Sequence, residues 1–154
     1  MELDSLNPLP NINRYNKLSV RYAGLSTLIS ELRKHELSPQ VIAFINKEIA
    51  MLNSFPDASD QLTPLYGQVL RRTYKLIEKE HKIVPRKYYQ RLWMVLGMSA
   101  FGIPLGVSLG LSLGSMAFLG AGLPIGIAIG IGVGNAMDDK ARKEGRQLEM
   151  DTVF

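Results

Sequence analysis

The sequence predicts an all-α protein, in which a small cytoplasmic helical bundle is followed by a two-helix transmembrane hairpin. Residues 92–137 contain no Asp, Glu, Lys or Arg, although the 154-residue chain has 32 of these residues (18 basic and 14 acidic). Eleven of the 14 glycines also lie in this block. Before it, apolar residues recur three and four positions apart, which is typical of amphipathic helices and not of strands.

Residues 1–91 are predicted to form the cytoplasmic helical domain. An apolar seam predicts a first helix of about 22 residues, which ends near His35. Ser38-Pro39 predicts the start of a second helix, because proline is favoured in the first turn. A third helix is expected from about Thr63, and Val84-Pro85 begins the segment that leads into the membrane. The first seam consists of Tyr15, Leu18, Tyr22, Leu25, Ile29 and Leu32.

Residues 92–137 are predicted to cross a membrane twice. One spanning helix needs about 20 apolar residues, so the block has room for two spans and a turn near residues 116–123. Basic residues flank the block on both sides, whereas the turn has none. By the positive-inside rule both termini are expected to be cytoplasmic, in an inner (cytoplasmic) membrane, with residues 138–154 as a C-terminal tail.

The segment before the first span is expected to contact anionic lipid headgroups. Each basic residue near such a surface contributes about 1 kcal/mol. Clustered basic residues also suit nucleic acid, but their juxtamembrane position favours lipid. The predicted headgroup contacts are Arg71, Arg72, Lys75, Lys79, Lys82, Arg86, Lys87, Arg91 and the interfacial Trp93.

The apolar block contains an internal repeat with an offset of 20 residues. Residues 101–115 (FGIPLGVSLGLSLGS) align with residues 121–135 (AGLPIGIAIGIGVGN). Each copy has glycine at every fourth position, a pattern that lets two membrane helices approach closely. Over residues 102–134 the chain resembles the two-helix glycine-zipper membrane proteins of bacteria, and this resemblance implies packing into oligomers that sometimes line channels. The predicted helix-packing residues are Gly102, Gly106, Gly110, Gly114, Gly122, Gly126, Gly130 and Gly134.

A second set of small residues lies on the opposite face of each predicted helix. We therefore expect a homo-oligomer, with Ser108, Ser112, Ser115 and Asn135 as possible pore-lining residues. The alternative is that the glycines only close the hairpin. Asp138 and Asp139 either form an acidic ring in the oligomer or pair with neighbouring basic residues at a solvated helix end.

Two prolines lie within the predicted spans. Pro104 either kinks the first span or begins it, because proline cannot donate the hydrogen bond to the carbonyl four residues earlier. Pro124 is expected at the first position of the second helix.

No sequence motif indicates an enzyme, a cofactor or a metal site. His35 and His81 lie in charged stretches and are interpreted as solvated surface residues, and no catalytic residue is predicted. The first functional hypothesis is a self-assembling pore or membrane-permeabilising assembly, which the cytoplasmic domain controls. The alternative is a non-conducting anchor or scaffold that recruits a cytoplasmic partner protein. A subunit of a larger transporter is a third hypothesis.

Overall fold

The computed structural model describes residues 2–151, apart from the side chains of Met116 and Leu119. It contains α1 (Asn16–Leu32), α2 (Pro39–Asn53), α3 (Leu62–His81), α4 (Tyr88–Leu113) and α5 (Leu119–Lys143). Residues 2–151 include no β-strand. The predicted all-helical fold class is confirmed.

The described chain divides into two compact units. Residues 2–84 and 148–151 form the first, here called the bundle unit. Pro85–Gln147 form the second, here called the paired-helix unit, which contains α4 and α5.

The core of the bundle unit lies between α1, α2 and α3, and it includes residues from both ends of the chain. Leu18, Leu28 and Leu32 of α1 are fully buried. Leu3 and Leu9 join the same cluster from an extended segment, residues 2–9, here called the N-terminal strap. Leu148 of the C-terminal tail is also fully buried in this core. The periodic seam thus describes the helices, while the strap and tail add to the core from outside the periodic pattern.

The start of α2 combines a predicted and an unexpected feature. The helix begins at Pro39, as predicted, but the hydroxyl of Ser38 makes no capping hydrogen bond. Instead, the Ser38 N–H donates to Nε2 of His81 at 3.1 Å. The interpretation of His81 as simply solvated is therefore wrong, because its ring ties the end of α3 to the start of α2.

Both prolines of the apolar block lie inside helices. Met98–Gly102 form a π-helical turn between the α-helical segments Tyr88–Gly97 and Ile103–Leu113, so α4 continues through Pro104 and does not begin there. The π turn lies where Pro104 cannot donate to the Ala100 carbonyl. Pro124 lies inside α5, and its placement at a helix start is wrong, because α5 already begins at Leu119.

Candidate functional site

Glycines bring α4 and α5 into main-chain contact. The main chain of Gly122 lies against Gly102 and Gly106, whereas Gly134 lies against Tyr89 and Gln90. The helices therefore run antiparallel.

The separation of α4 and α5 leaves no room for side chains at the contact. A Cβ atom on Gly134 would lie 2.5 Å from Cα of Gln90, and one on Gly126 would lie 2.5 Å from Cα of Gly102. Real Cβ atoms essentially never approach closer than 3.0 Å. Any larger residue would force the two backbones apart, with loss of the van der Waals contact that close packing provides.

Seven of the eight glycines predicted for helix packing are buried in this unit, and Gly114 is not. Gly114 ends α4 in the left-handed conformation with φ 67°, and a Cβ atom there would meet nothing within 4 Å. It acts as a helix cap, for which glycine is favoured because it has no steric penalty at positive φ. The buried seven are Gly102, Gly106, Gly110, Gly122, Gly126, Gly130 and Gly134.

Gly97 also belongs to the contact, although the fourfold spacing does not include it. A Cβ atom on Gly97 would lie 2.8 Å from Cα of Gly130. Gly97 precedes Gly102 by five residues, and the intervening Met98–Gly102 turn is π-helical. Because a π turn closes its hydrogen bonds one residue later than an α turn, the extra residue is absorbed and both glycines face α5.

Asp138 of α5 caps the N-terminus of α4. Its carboxylate accepts hydrogen bonds from the N–H groups of Tyr89 (3.1 Å) and Gln90 (2.9 Å), and the residue is only 8% exposed. The local N-cap position, Lys87, provides no side-chain hydrogen bond. A carboxylate here also offsets the positive end of the helix dipole.

The two predictions for the acidic pair do not describe Asp138. Only its neighbour Asp139 pairs with a basic residue at an exposed helix end, through a 2.9 Å contact with Arg142. Asp138 instead bonds to main-chain N–H groups of the other helix and is withdrawn from the surface.

The outer surface of the paired-helix unit is apolar. Val95 is 55% exposed and Leu111 is 70% exposed. Both helices are long and apolar enough to cross a membrane, judged by length and composition. Other large apolar residues exposed in this unit are Leu92, Met94, Leu96, Met98, Phe101, Ile103, Leu105, Leu109, Leu113, Phe118, Ile125, Ile129 and Val133.

The residues predicted to line a pore lie outside the glycine contact. Ser108, Ser112, Ser115 and Asn135 are all exposed. Gly132 is exposed as well, and a Cβ atom there would meet nothing within 4 Å. The paired-helix unit does not bring the serines and Asn135 into its contact.

The basic residues predicted to contact lipid headgroups are all exposed, and Trp93 is half-buried. Arg86, Lys87 and Arg91 belong to the paired-helix unit, and the other five belong to the bundle unit. Within the bundle unit, Arg72 pairs with Glu48 at 3.4 Å, and Nε of Arg71 donates to the Gly67 carbonyl.

Comparisons with known proteins give no further assignment. No protein-family model, curated protein or solved structure matches the chain. Within residues 2–151, no three His, Asp or Glu side chains are grouped so that they could hold a metal ion. Packing and surface character are therefore the features from which function is inferred.

Proposed function

We propose that the paired-helix unit crosses the inner membrane twice and anchors the bundle unit on the cytoplasmic side, where the bundle recruits a partner protein. One observation carries this proposal: the paired-helix unit has glycines inside and large apolar side chains outside. A water-soluble domain has the opposite distribution. The transfer of each large apolar side chain out of water is favourable by about 1.5–3 kcal/mol. Lipid is therefore the environment that suits this surface.

The bundle unit is built from two segments of the chain, one before and one after the paired-helix unit, and this supports an even number of membrane crossings. The chain leaves this unit after Val84 and returns to it at Leu148. There the Leu148 N–H donates to the Val84 carbonyl at 2.9 Å. Two segments that pair in this way lie on the same side of a membrane. The basic residues that flank α4 and α5 favour the cytoplasmic side.

A self-assembling pore is the second candidate, and a separate observation favours it. Ser108, Ser112 and Gly132 present small residues on outward surfaces, where a neighbouring copy could pack closely. The glycines of the contact pack α4 against α5 of the same chain, so they give no evidence for an oligomer. The anchor needs only this contact and the apolar outer surface, whereas the pore also needs other copies, so the anchor is the better supported proposal.

A matched pair of α5 substitutions separates the two candidates. Gly130→Leu introduces a side chain into the main-chain contact, whereas Gly132→Leu adds the same side chain where the space is open. The full chain is expressed in bacterial membranes, extracted with alkaline carbonate, sized in mild detergent and reconstituted to measure ion leakage from vesicles.

The anchor predicts that the wild-type chain and Gly132→Leu both resist carbonate and that neither makes vesicles leak. Gly130→Leu should separate the two helices and increase their proteolysis. Leakage by the wild-type chain that Gly132→Leu abolishes would instead identify a pore. Complete release of the wild-type chain by carbonate would contradict both candidates.

A further inference from the structure

Side chains of α1 and α2 hold the main chain of the N-terminal strap. Asn46 donates to the carbonyl of Glu2 and accepts from the N–H of Asp4, both at 2.9 Å. Asn53 donates to the carbonyl of Ser5 at 3.0 Å and accepts from the N–H of Asn7 at 2.8 Å. Each asparagine thus binds a carbonyl and the N–H two residues later, as a neighbouring β-strand would.

The spacing of the two asparagines matches an extended peptide. Asn46 and Asn53 are seven residues apart on α2, a rise of about 10.5 Å. The strap groups that bond to Asn53 lie three residues after those that bond to Asn46, which is about 10 Å in an extended chain. The two distances agree, so the same pair of hydrogen bonds is made twice along one direction. Such contacts recognise an extended main chain whatever its side chains are.

Further contacts add to this recognition. Arg33 donates to the Leu3 carbonyl at 2.9 Å, and the hydroxyl of Tyr22 donates to the Asn7 carbonyl at 3.2 Å. Leu3 and Leu9, six residues apart, are buried at 7% and 8% exposure. The strap is therefore bound through its main chain and through two leucine side chains.

A cavity beside Leu3 leaves part of this surface unfilled. Its volume is about 340 Å³, and its lining includes Glu2, Leu3, Arg33, His35 and Ile42. The position of Leu3 thus borders a space that the strap does not fill. Glu2 and Arg33 line the same cavity, so an acidic residue at the start of the bound segment faces a basic one.

We propose that the surface of α1 and α2 under the strap is a binding site for an extended segment of a partner protein, acidic at its start and with apolar residues six positions apart. The strap occupies this site as an internal ligand. The proposal rests on the recruiting role proposed above and names the chemistry that is recruited. The hydrogen bonds of the two asparagines to the strap are solvent-exposed. Exchange of the strap also withdraws Leu3 and Leu9 from the core, and the apolar residues of the incoming segment take their places.

Tethering makes the strap a strong competitor. A ligand joined by a short linker has an effective concentration in the millimolar range. A partner segment must therefore exceed this competition, and recruitment is weak until the strap is released.

Exchange is tested on the full chain in mild detergent, with a protease site inserted between Pro10 and Asn11. The strap is cleaved after folding, and a fluorescent peptide with the sequence of residues 2–10 is added. Binding is followed by anisotropy. We expect the cleaved protein to bind the peptide at least tenfold more tightly than the uncleaved protein. A peptide with Leu3→Asp and Leu9→Asp should not bind.

The paired substitution Asn46→Ala with Asn53→Ala should weaken peptide binding to the cleaved protein at least tenfold. Gln40→Ala, an exposed amide on the same helix, serves as the matched control and should leave binding unchanged. Absence of exchange after prolonged incubation, in a cleaved protein whose helical circular dichroism is intact, would overturn the proposal. Equal effects of the asparagine and glutamine substitutions would overturn it as well.

Two other results have distinct meanings. Exchange of straps between two differently tagged copies, in preference to the added peptide, would assign the site to self-association and overturn the partner assignment. The anisotropy readout does not depend on membrane insertion, so failure of peptide binding is distinguishable from failure of the proposed anchor in the carbonate assay.

Discussion

At Gly126, Gly130 and Gly134 a methyl group in place of hydrogen would overlap the main chain of α4. These positions set how closely the two helices approach. Gly132 lies on the same helix, but a methyl group there would meet nothing. The requirement for glycine therefore comes from position in the contact, and the two classes of glycine can be tested separately.

Asp138 is predicted to stabilise the paired-helix unit by capping α4. Asp138→Ala removes a charged acceptor from two N–H groups, and loss of a helix cap costs about 0.5–2 kcal/mol. Asp138→Asn keeps one acceptor oxygen and should have a smaller effect. The free energy of unfolding in mild detergent, followed by circular dichroism, measures both.

The neighbouring Asp139→Ala is the control for this measurement. Its ion pair with Arg142 is exposed, and such pairs contribute about 0–1 kcal/mol. Equal destabilisation by Asp138→Ala and Asp139→Ala would contradict the capping role.

Most glycines of the contact could be predicted from the sequence, whereas the exclusion of Gly114 and the role of Asp138 could not. A fourfold spacing repeats within one helix and is visible without a structure. The N–H groups that bind Asp138 are 48 and 49 residues away along the chain, and no local pattern indicates such a partner. Gly97 could not be predicted either, because the π turn places it five residues before Gly102 and the glycine pattern assumes a spacing of four.

At the level of elements, the helices followed from apolar spacing, but the strap and tail did not. The start of α2 at Pro39 follows from the proline preference for a first turn. Residues 2–9 are held by asparagine side chains instead of by regular secondary structure, so no periodicity marks them. Leu148 and Met150 are isolated buried residues in a charged tail, and they belong to no repeat.

The C-terminal tail is expected to contribute to the stability of the bundle unit. Leu148 is fully buried, and Leu→Ala substitutions at such sites cost about 2–5 kcal/mol because they leave a cavity. Leu148→Ala should lower the free energy of unfolding by this amount in a denaturant titration. Val20→Ala, which changes an exposed residue, should change the free energy of unfolding by less than about 0.5 kcal/mol. Similar values for the two variants would show that the tail is not part of the core.

Alkaline pH is expected to destabilise the bundle unit through a buried tyrosine. Burial raises the pKa of Tyr74 from 10.0 to about 12. An unfolded tyrosine ionises near pH 10, so the unfolded state loses its proton first. The stabilisation is complete below pH 10 and is lost as the pH rises towards 12.

Tyr74→Phe tests this pH dependence because phenylalanine cannot ionise. The midpoint of alkaline unfolding, measured by circular dichroism, should move to higher pH in the variant. It loses the hydrogen bond from the tyrosine hydroxyl to Met150 Sδ, so its stability at neutral pH should fall slightly. An unchanged or lower alkaline midpoint would contradict the account.

The whole molecule combines two units that differ in how they are stabilised. The bundle unit has a conventional apolar core, although a unit of this size has limited surface to bury, and the strap and tail extend that core. The paired-helix unit has main-chain contact inside and apolar side chains outside. In the proposed function the first unit binds a partner segment and the second holds it at the membrane.

The most direct test of the proposed membrane anchor is labelling of single cysteines with a membrane-impermeant maleimide. The chain contains no cysteine, so Ser54→Cys in the bundle unit and Ser115→Cys between α4 and α5 each give one site. In intact cells we predict labelling of Ser115→Cys alone, and in inverted membrane vesicles of Ser54→Cys alone. Labelling of both sites from the same side would contradict two membrane crossings.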